Sequence, residues 1–163
     1  MIGRSRVQYL VRAGLIAAVY VALVYAFRPI SFGPGQIRVA EALAVLPLLE
    51  AAAVPGLGVG CLLANLLGGM GPWDIFGGSA ITFLAAYLTW LSGRFWVGIL
   101  PPILLNGFGV SAYLTFITGV PYWLLVGQIL FGQTVAVGLI GATIYLGLRR
   151  LQPVLNLYQR YTY

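Results

Sequence analysis

The side chains able to do chemistry are few. Arg38 and Glu41 stand three residues apart in an apolar run, where one helix face can carry both and let them pair. Asp74 opens the run Ile75-Phe76-Gly77-Gly78-Ser79, with Trp73 beside it. Asn65, Asn106 and Gln128 bring amide donors and acceptors to apolar stretches. Together these groups form a recognition set for a small polar heterocycle: carboxylates accept N–H groups, Arg38 donates, and Trp73 can stack on a flat ring. Each also has a purely structural alternative. Arg38 and Glu41 can be a self-satisfied ion pair, and Asp74 a helix N-cap. Asn65 and Asn106 can glue helices together, and Trp73 can anchor at an interface. Of Gln128 and Gln133, which do not share a face closely, Gln128 is the better candidate by depth.

Catalysis finds little to work with. The chain has no histidine and no lysine. That excludes a Ser-His-Asp triad, an imidazole metal ligand, a Walker lysine and a Schiff base. Cys61 is the single cysteine, so there is no intrachain disulfide and no cysteine zinc cluster. Its apolar neighbours mark it as an inert buried thiol. Glu41 and Asp74 could act as acid and base in principle, yet nothing marks a nucleophile or a metal cage. Gly33-Pro34-Gly35 and Gly68-Gly69 are too short to cradle phosphates. The expectation is no catalytic residue, no metal and no cofactor.

The elements that position these groups must lie in a membrane. Apolar residues make up 61% of the 163, and charged ones 7%, against about 25% charged in soluble proteins. Twelve charged side chains (nine arginines, two glutamates, one aspartate) could not cover a soluble domain of this size. At about 20 residues per span, the hydrophobic runs predict an all-α bundle of six transmembrane helices in one domain, 1–163. The runs are 7–27, 36–49, 55–67, 75–91, 96–117 and 121–148, with five spans as the competing count. With both termini cytoplasmic, Arg4, Arg6, Arg12, Arg94, Arg149, Arg150 and Arg160 fall inside and only Arg28 and Arg38 outside. That satisfies the positive-inside rule, and it explains the net charge of +6 better than nucleic-acid binding does. The N-terminus reads as an uncleaved first span rather than a signal peptide.

On this topology Arg28, Gln36, Arg38, Glu41, Asn65 and Asp74 all lie at or near the outer ends of the first four helices, and Glu50 faces inward. This predicts a pocket open to the outside, with segment 28–36, broken by two prolines and two glycines, as a lid over it. Small residues recur every four positions on the first helix: Ala13 and Ala17, Gly14 and Ala18, Ala18 and Ala22, Ala22 and Ala26. Gly56 and Gly60 repeat the spacing on the third. Such ridges let helices approach closely. Packing inside the bundle suits Gly56 and Gly60. On the first helix, internal packing and docking of another membrane subunit both remain open.

The block Ser31-Phe32-Gly33-Pro34-Gly35-Gln36-Ile37-Arg38-Val39-Ala40-Glu41-Ala42-Leu43, followed by Leu46-Pro47, resembles the QueT family. So do Gly60-Cys61-Leu62-Leu63-Ala64-Asn65-Leu66 and Trp73-Asp74-Ile75-Phe76-Gly77-Gly78-Ser79. Members of that family are S components of energy-coupling-factor (ECF) transporters in prokaryotic plasma membranes. The resemblance implies capture of a queuosine precursor, a 7-deazaguanine base or queuine, from outside. It implies assembly with a membrane coupling subunit through Ala13, Ala17, Ala18 and Ala22, and with two cytoplasmic ATPases. Arg38, Glu41, Asn65, Trp73, Asp74, Asn106 and Gln128 are the expected substrate-binding residues. Glu41→Gln and Asp74→Asn are each expected to weaken binding at least about tenfold, the loss of one charge-assisted hydrogen bond. The alternatives are an S component for another vitamin-like substrate, a small ion-coupled carrier, and a membrane enzyme, which three scattered carboxylates fit poorly.

Overall fold

The computed structural model describes the backbone of residues 2–31 and 38–161, and the side chains of 6–29 and 38–151. Most of the expected lid, including Gln36, lies outside the described residues.

The described chain is all helical. α1 is Ile2–Ala26, α2 is Val39–Leu48 and α3 is Ala53–Leu67. α4 runs Trp73–Ser92, α5 Phe95–Thr118 and α6 Tyr122–Leu151, with helix continuing to Tyr161. Four helices are long and apolar enough to cross a membrane: α1 over Arg6–Ala26, α4, α5 and α6. α2 and α3 are apolar but shorter. Left-handed glycines end α4 and α5, Gly93 at φ 60° and Gly119 at φ 72°, where a side chain would be strained. Trp96 and Trp123 lie exposed just past these turns, as expected of interfacial anchors.

α2 is the centre of the bundle. It is a 3₁₀-helix of ten residues, long for that type. Pro47 inside it has no N–H to give an α-helical bond. Residues 40–45 are all buried, and alanine at 40, 42 and 44 keeps the helix thin enough for others to close around it. Gly141 of α6 is part of this fit: a Cβ there would stand 2.8 Å from Val45 Cγ1 and 3.0 Å from the Ala42 carbonyl.

This corrects the expected depth of Arg38 and Glu41. They do not sit at the outer ends of the helices. Glu41 is bonded to Tyr20, which lies seven residues, about 10 Å of helix rise, in from Phe27 at the end of α1. α2 therefore begins inside the bundle, level with Tyr20. α2 leads to Glu50, whose carboxylate takes Arg12 of α1 at 2.6 Å. Arg12, counted above among the topology determinants, has a partner within the chain.

The alanine ridge of α1 divides between two faces. Ala13 and Ala17 turn inward and meet Gly56 and Gly60 of α3. A Cβ on Gly56 would come within 2.8 Å of the Ala13 carbonyl, and one on Gly60 within 3.1 Å of Ala17 Cα. Ala13 and Ala17 are thus spent on internal packing, contrary to the expected subunit contact. Gly14, Ala18, Ala22 and Ala26 are exposed and form a second ridge on the outside of the bundle.

Candidate functional site

α2 aims its two charged side chains at one place. In a 3₁₀-helix residues i and i+3 eclipse, so Arg38, at the start of α2, and Glu41 project from one face. They line a small enclosed chamber with Gly78 of α4, Asn106 and Val110 of α5, and Ile129 and Gln133 of α6. α4, α5 and α6 all leave α-helical geometry here. Gly78 ends the π-helical stretch Trp73–Gly78. Asn106 and Val110 lie in the π-helical Leu105–Val110. Gln133 precedes the π-helical Thr134–Gly141. π turns occur frequently at functional sites because the extra residue re-aims side chains.

Glu41 is 2% exposed. Tyr20 donates its hydroxyl to Oε1 at 2.5 Å, and Asn106 donates Nδ2 to Oε2 at 3.4 Å. Asn106 Nδ2 also reaches the Pro102 carbonyl at 3.0 Å. Such partners are what a buried carboxyl requires. Arg38 is half-buried, with Nη1 3.9 Å from Cys61 Sγ. The same sulfur receives Asn65 Nδ2 and Thr82 Oγ1, each at 3.5 Å. Cys61 is buried as expected, yet its sulfur serves as a weak acceptor at the centre of a polar cluster. Gln133 is buried, and its Oε1 has no hydrogen-bond partner.

A second polar centre lies towards the Phe27 end. Asp74 Oδ1 accepts the Tyr113 hydroxyl at 3.0 Å, and the Asp74 carbonyl accepts Asn65 Nδ2 at 2.7 Å. Asp74 does not cap α4. It lies inside the first turn, and its side chain is turned to Tyr113. Trp73 is 63% exposed. It lies near-parallel to Tyr113, ring centres 6.5 Å apart, in an open groove of about 500 Å³ shared with Ala112, Phe116 and Ile117. Tyr113 divides this groove from the chamber: a Cβ on Gly78 would stand 3.1 Å from its Oη.

Of the seven expected binding residues, the chamber therefore gathers Arg38, Glu41 and Asn106. Asn65 is buried behind them, bridging Cys61 and Asp74. Asp74 and Trp73 belong to the outer groove. Gln128 is exposed on the outside of α6, and Gln133 holds the inward position expected of it. Depth was the wrong criterion there, because α2 carries the site further into the bundle than the outer helix ends. Tyr20 and Tyr113 also went unforeseen. Tyr20 continues the inward series Ala13, Ala17, Tyr20, Val24, a spacing legible in the sequence once that face is known to be inside.

A protein-family model described as QueT transporter matches residues 10–150, which include every chamber residue. The chain belongs to the QueT transporter family. No curated protein and no solved structure matches it. As a QueT-family protein it is a multi-pass membrane transport protein and not an enzyme. Among the described residues, no three of His, Cys, Asp or Glu cluster to hold a metal. The chamber has a volume of about 20 Å³, enough for a single water molecule.

Proposed function

We propose that this chain is the S component of an ECF importer that captures a 7-deazaguanine base or queuine. In this reading the whole chain is one domain of six spanning helices, both ends cytoplasmic, in a prokaryotic plasma membrane. The supporting observation is the set Arg38, Glu41, Asn106 and Gln133 lining one chamber within a QueT-family bundle. Glu41 accepts the paired N–H groups of a guanine-type edge, and Arg38 donates to the ring carbonyl. Asp74, in the outer groove, draws a cationic aminomethyl group towards the chamber. The chain has no lysine and hence no Walker motif, so ATP hydrolysis falls to two cytoplasmic ATPases joined through a coupling subunit. The exposed ridge Gly14, Ala18 and Ala22 is the face offered to that subunit.

Calorimetric titration of the purified protein tests the cargo, using the aminomethyl and cyano 7-deazaguanines, queuine, guanine and riboflavin. At least one deazaguanine is expected to bind about tenfold or more tighter than guanine, the discrimination that a hydrogen-bonding pocket provides. Binding of riboflavin and of no deazaguanine would overturn the assignment.

The depth of Glu41 favours a second reading, an ion-coupled carrier, because such carriers place a carboxylate inside the membrane. Uptake into vesicles separates the two. An S component needs the coupling subunit, the ATPases and ATP; a carrier works alone and fails when a protonophore collapses the gradient.

A further inference from the structure

Gln133 is 6% exposed and lines the chamber, yet its Oε1 has no hydrogen-bond partner. Glu41 and Asn106 on the facing helices are satisfied by Tyr20, Pro102 and each other. Among the described residues Gln133 is thus a chamber side chain that keeps a buried polar atom without a partner in the protein. A buried amide oxygen without a donor is costly, and a native structure retains one where something else completes it. Leucine or methionine would fill the same volume without that cost.

We propose that Gln133 is a specificity-determining residue whose carboxamide pairs with a donor–acceptor edge of the ligand. The proposal rests on the deazaguanine reading above. A carboxamide offers one acceptor and two donors side by side. Its complement is a ring N–H next to an unprotonated ring nitrogen. A guanine-type base has two usable edges. The paired N–H groups of its lactam side suit the Glu41 carboxylate. The opposite edge, a five-membered-ring N–H beside a six-membered-ring nitrogen, suits Gln133. That second edge exists only in the free base. In a nucleoside the same ring nitrogen carries the sugar and has no proton. Gln133 therefore selects free bases over nucleosides by a hydrogen bond, and not by bulk alone.

The test pairs one atom of the ligand with one residue of the protein. The probes are a 7-deazaguanine base and its furo isostere, in which ring oxygen replaces the five-membered-ring N–H and adds no volume. The variants are Gln133→Leu and Gln133→Met, two apolar side chains of similar length, so that either serves if the other folds poorly. The wild type is expected to bind the base about tenfold tighter than the isostere, the order of one buried hydrogen bond. Either variant should bind the base about tenfold more weakly and the isostere within about threefold of wild type, removing the discrimination. A structural role for Gln133 would weaken both ligands equally, and that result overturns the proposal. So does discrimination that persists in the variants, or a wild type that binds both probes equally well while still recognising deazaguanines. A wild type that binds no deazaguanine overturns the cargo assignment as well.

Discussion

Glu41 and Asp74 look alike in the sequence, each a lone carboxylate among apolar residues, but they occupy opposite kinds of surroundings. Glu41 is buried at the centre of the bundle between Tyr20 and Asn106. Asp74 is partly exposed near a helix end, held by Tyr113 at the edge of an aromatic groove. One wall, made by Tyr113 against Gly78, separates the two. The difference lies in the two helix starts: the first turn of α2 packs against Tyr20 inside the bundle, whereas the first turn of α4 is partly exposed. A carboxylate at depth can discriminate, because an unmatched ligand leaves it without a partner. A carboxylate at the rim steers approach but is screened by solvent.

The sharpest way to break this contrast is Glu41→Gln. The amide still accepts from Tyr20 but loses the charge and offers a donor where an acceptor is needed. On the proposed deazaguanine reading, affinity is expected to fall about ten- to hundredfold, the range of a hydrogen bond to a charged group, measured by calorimetry. An unchanged affinity would remove Glu41 from the site. Asp74→Asn should cost less, about threefold or under at moderate salt, since its Oδ1 still accepts the Tyr113 hydroxyl and the rim charge acts mainly on association. This revises the loss of at least about tenfold expected for Asp74→Asn. Stopped-flow association rates falling with added salt in the wild type, and flat in the variant, would sharpen the distinction. The smallest effect belongs to Gln128→Ala, which touches only the outside of α6 and should leave affinity within the error of the titration. A tenfold loss there would contradict the placement of Gln133 as the inward glutamine.

Composition made the helical membrane bundle legible, and the hydrophobic runs located its helices closely. The separation of α2 from α3, on which the choice between five and six runs turns, appears at residues 49–52. What the pattern did not reveal was depth. Counting spans assumes that each helix starts at a membrane surface, and α2 does not. Arg38 and Glu41 were therefore paired with Asp74 and Trp73 at one level, and Gln128 was preferred to Gln133. The small-residue spacing of α1 showed that close contacts exist without saying on which side. Only the packing of Gly56 and Gly60 assigns Ala13 and Ala17 inward and leaves Ala18 and Ala22 outward.

The π-helical stretches of α4, α5 and α6 bear on how such a chamber could change over evolutionary time. Each accommodates surplus chain within a continuous helix. Deleting a single residue from one of them would relax it towards α geometry and change which side chain of that turn faces the chamber, while the helix on either side keeps its register. Asn106 or Gln133 could then be exchanged for a neighbour facing the ligand while the bundle stayed intact. In this architecture cargo preference is open to alteration by one-residue changes in length, a route that comparing residue identities column by column would miss.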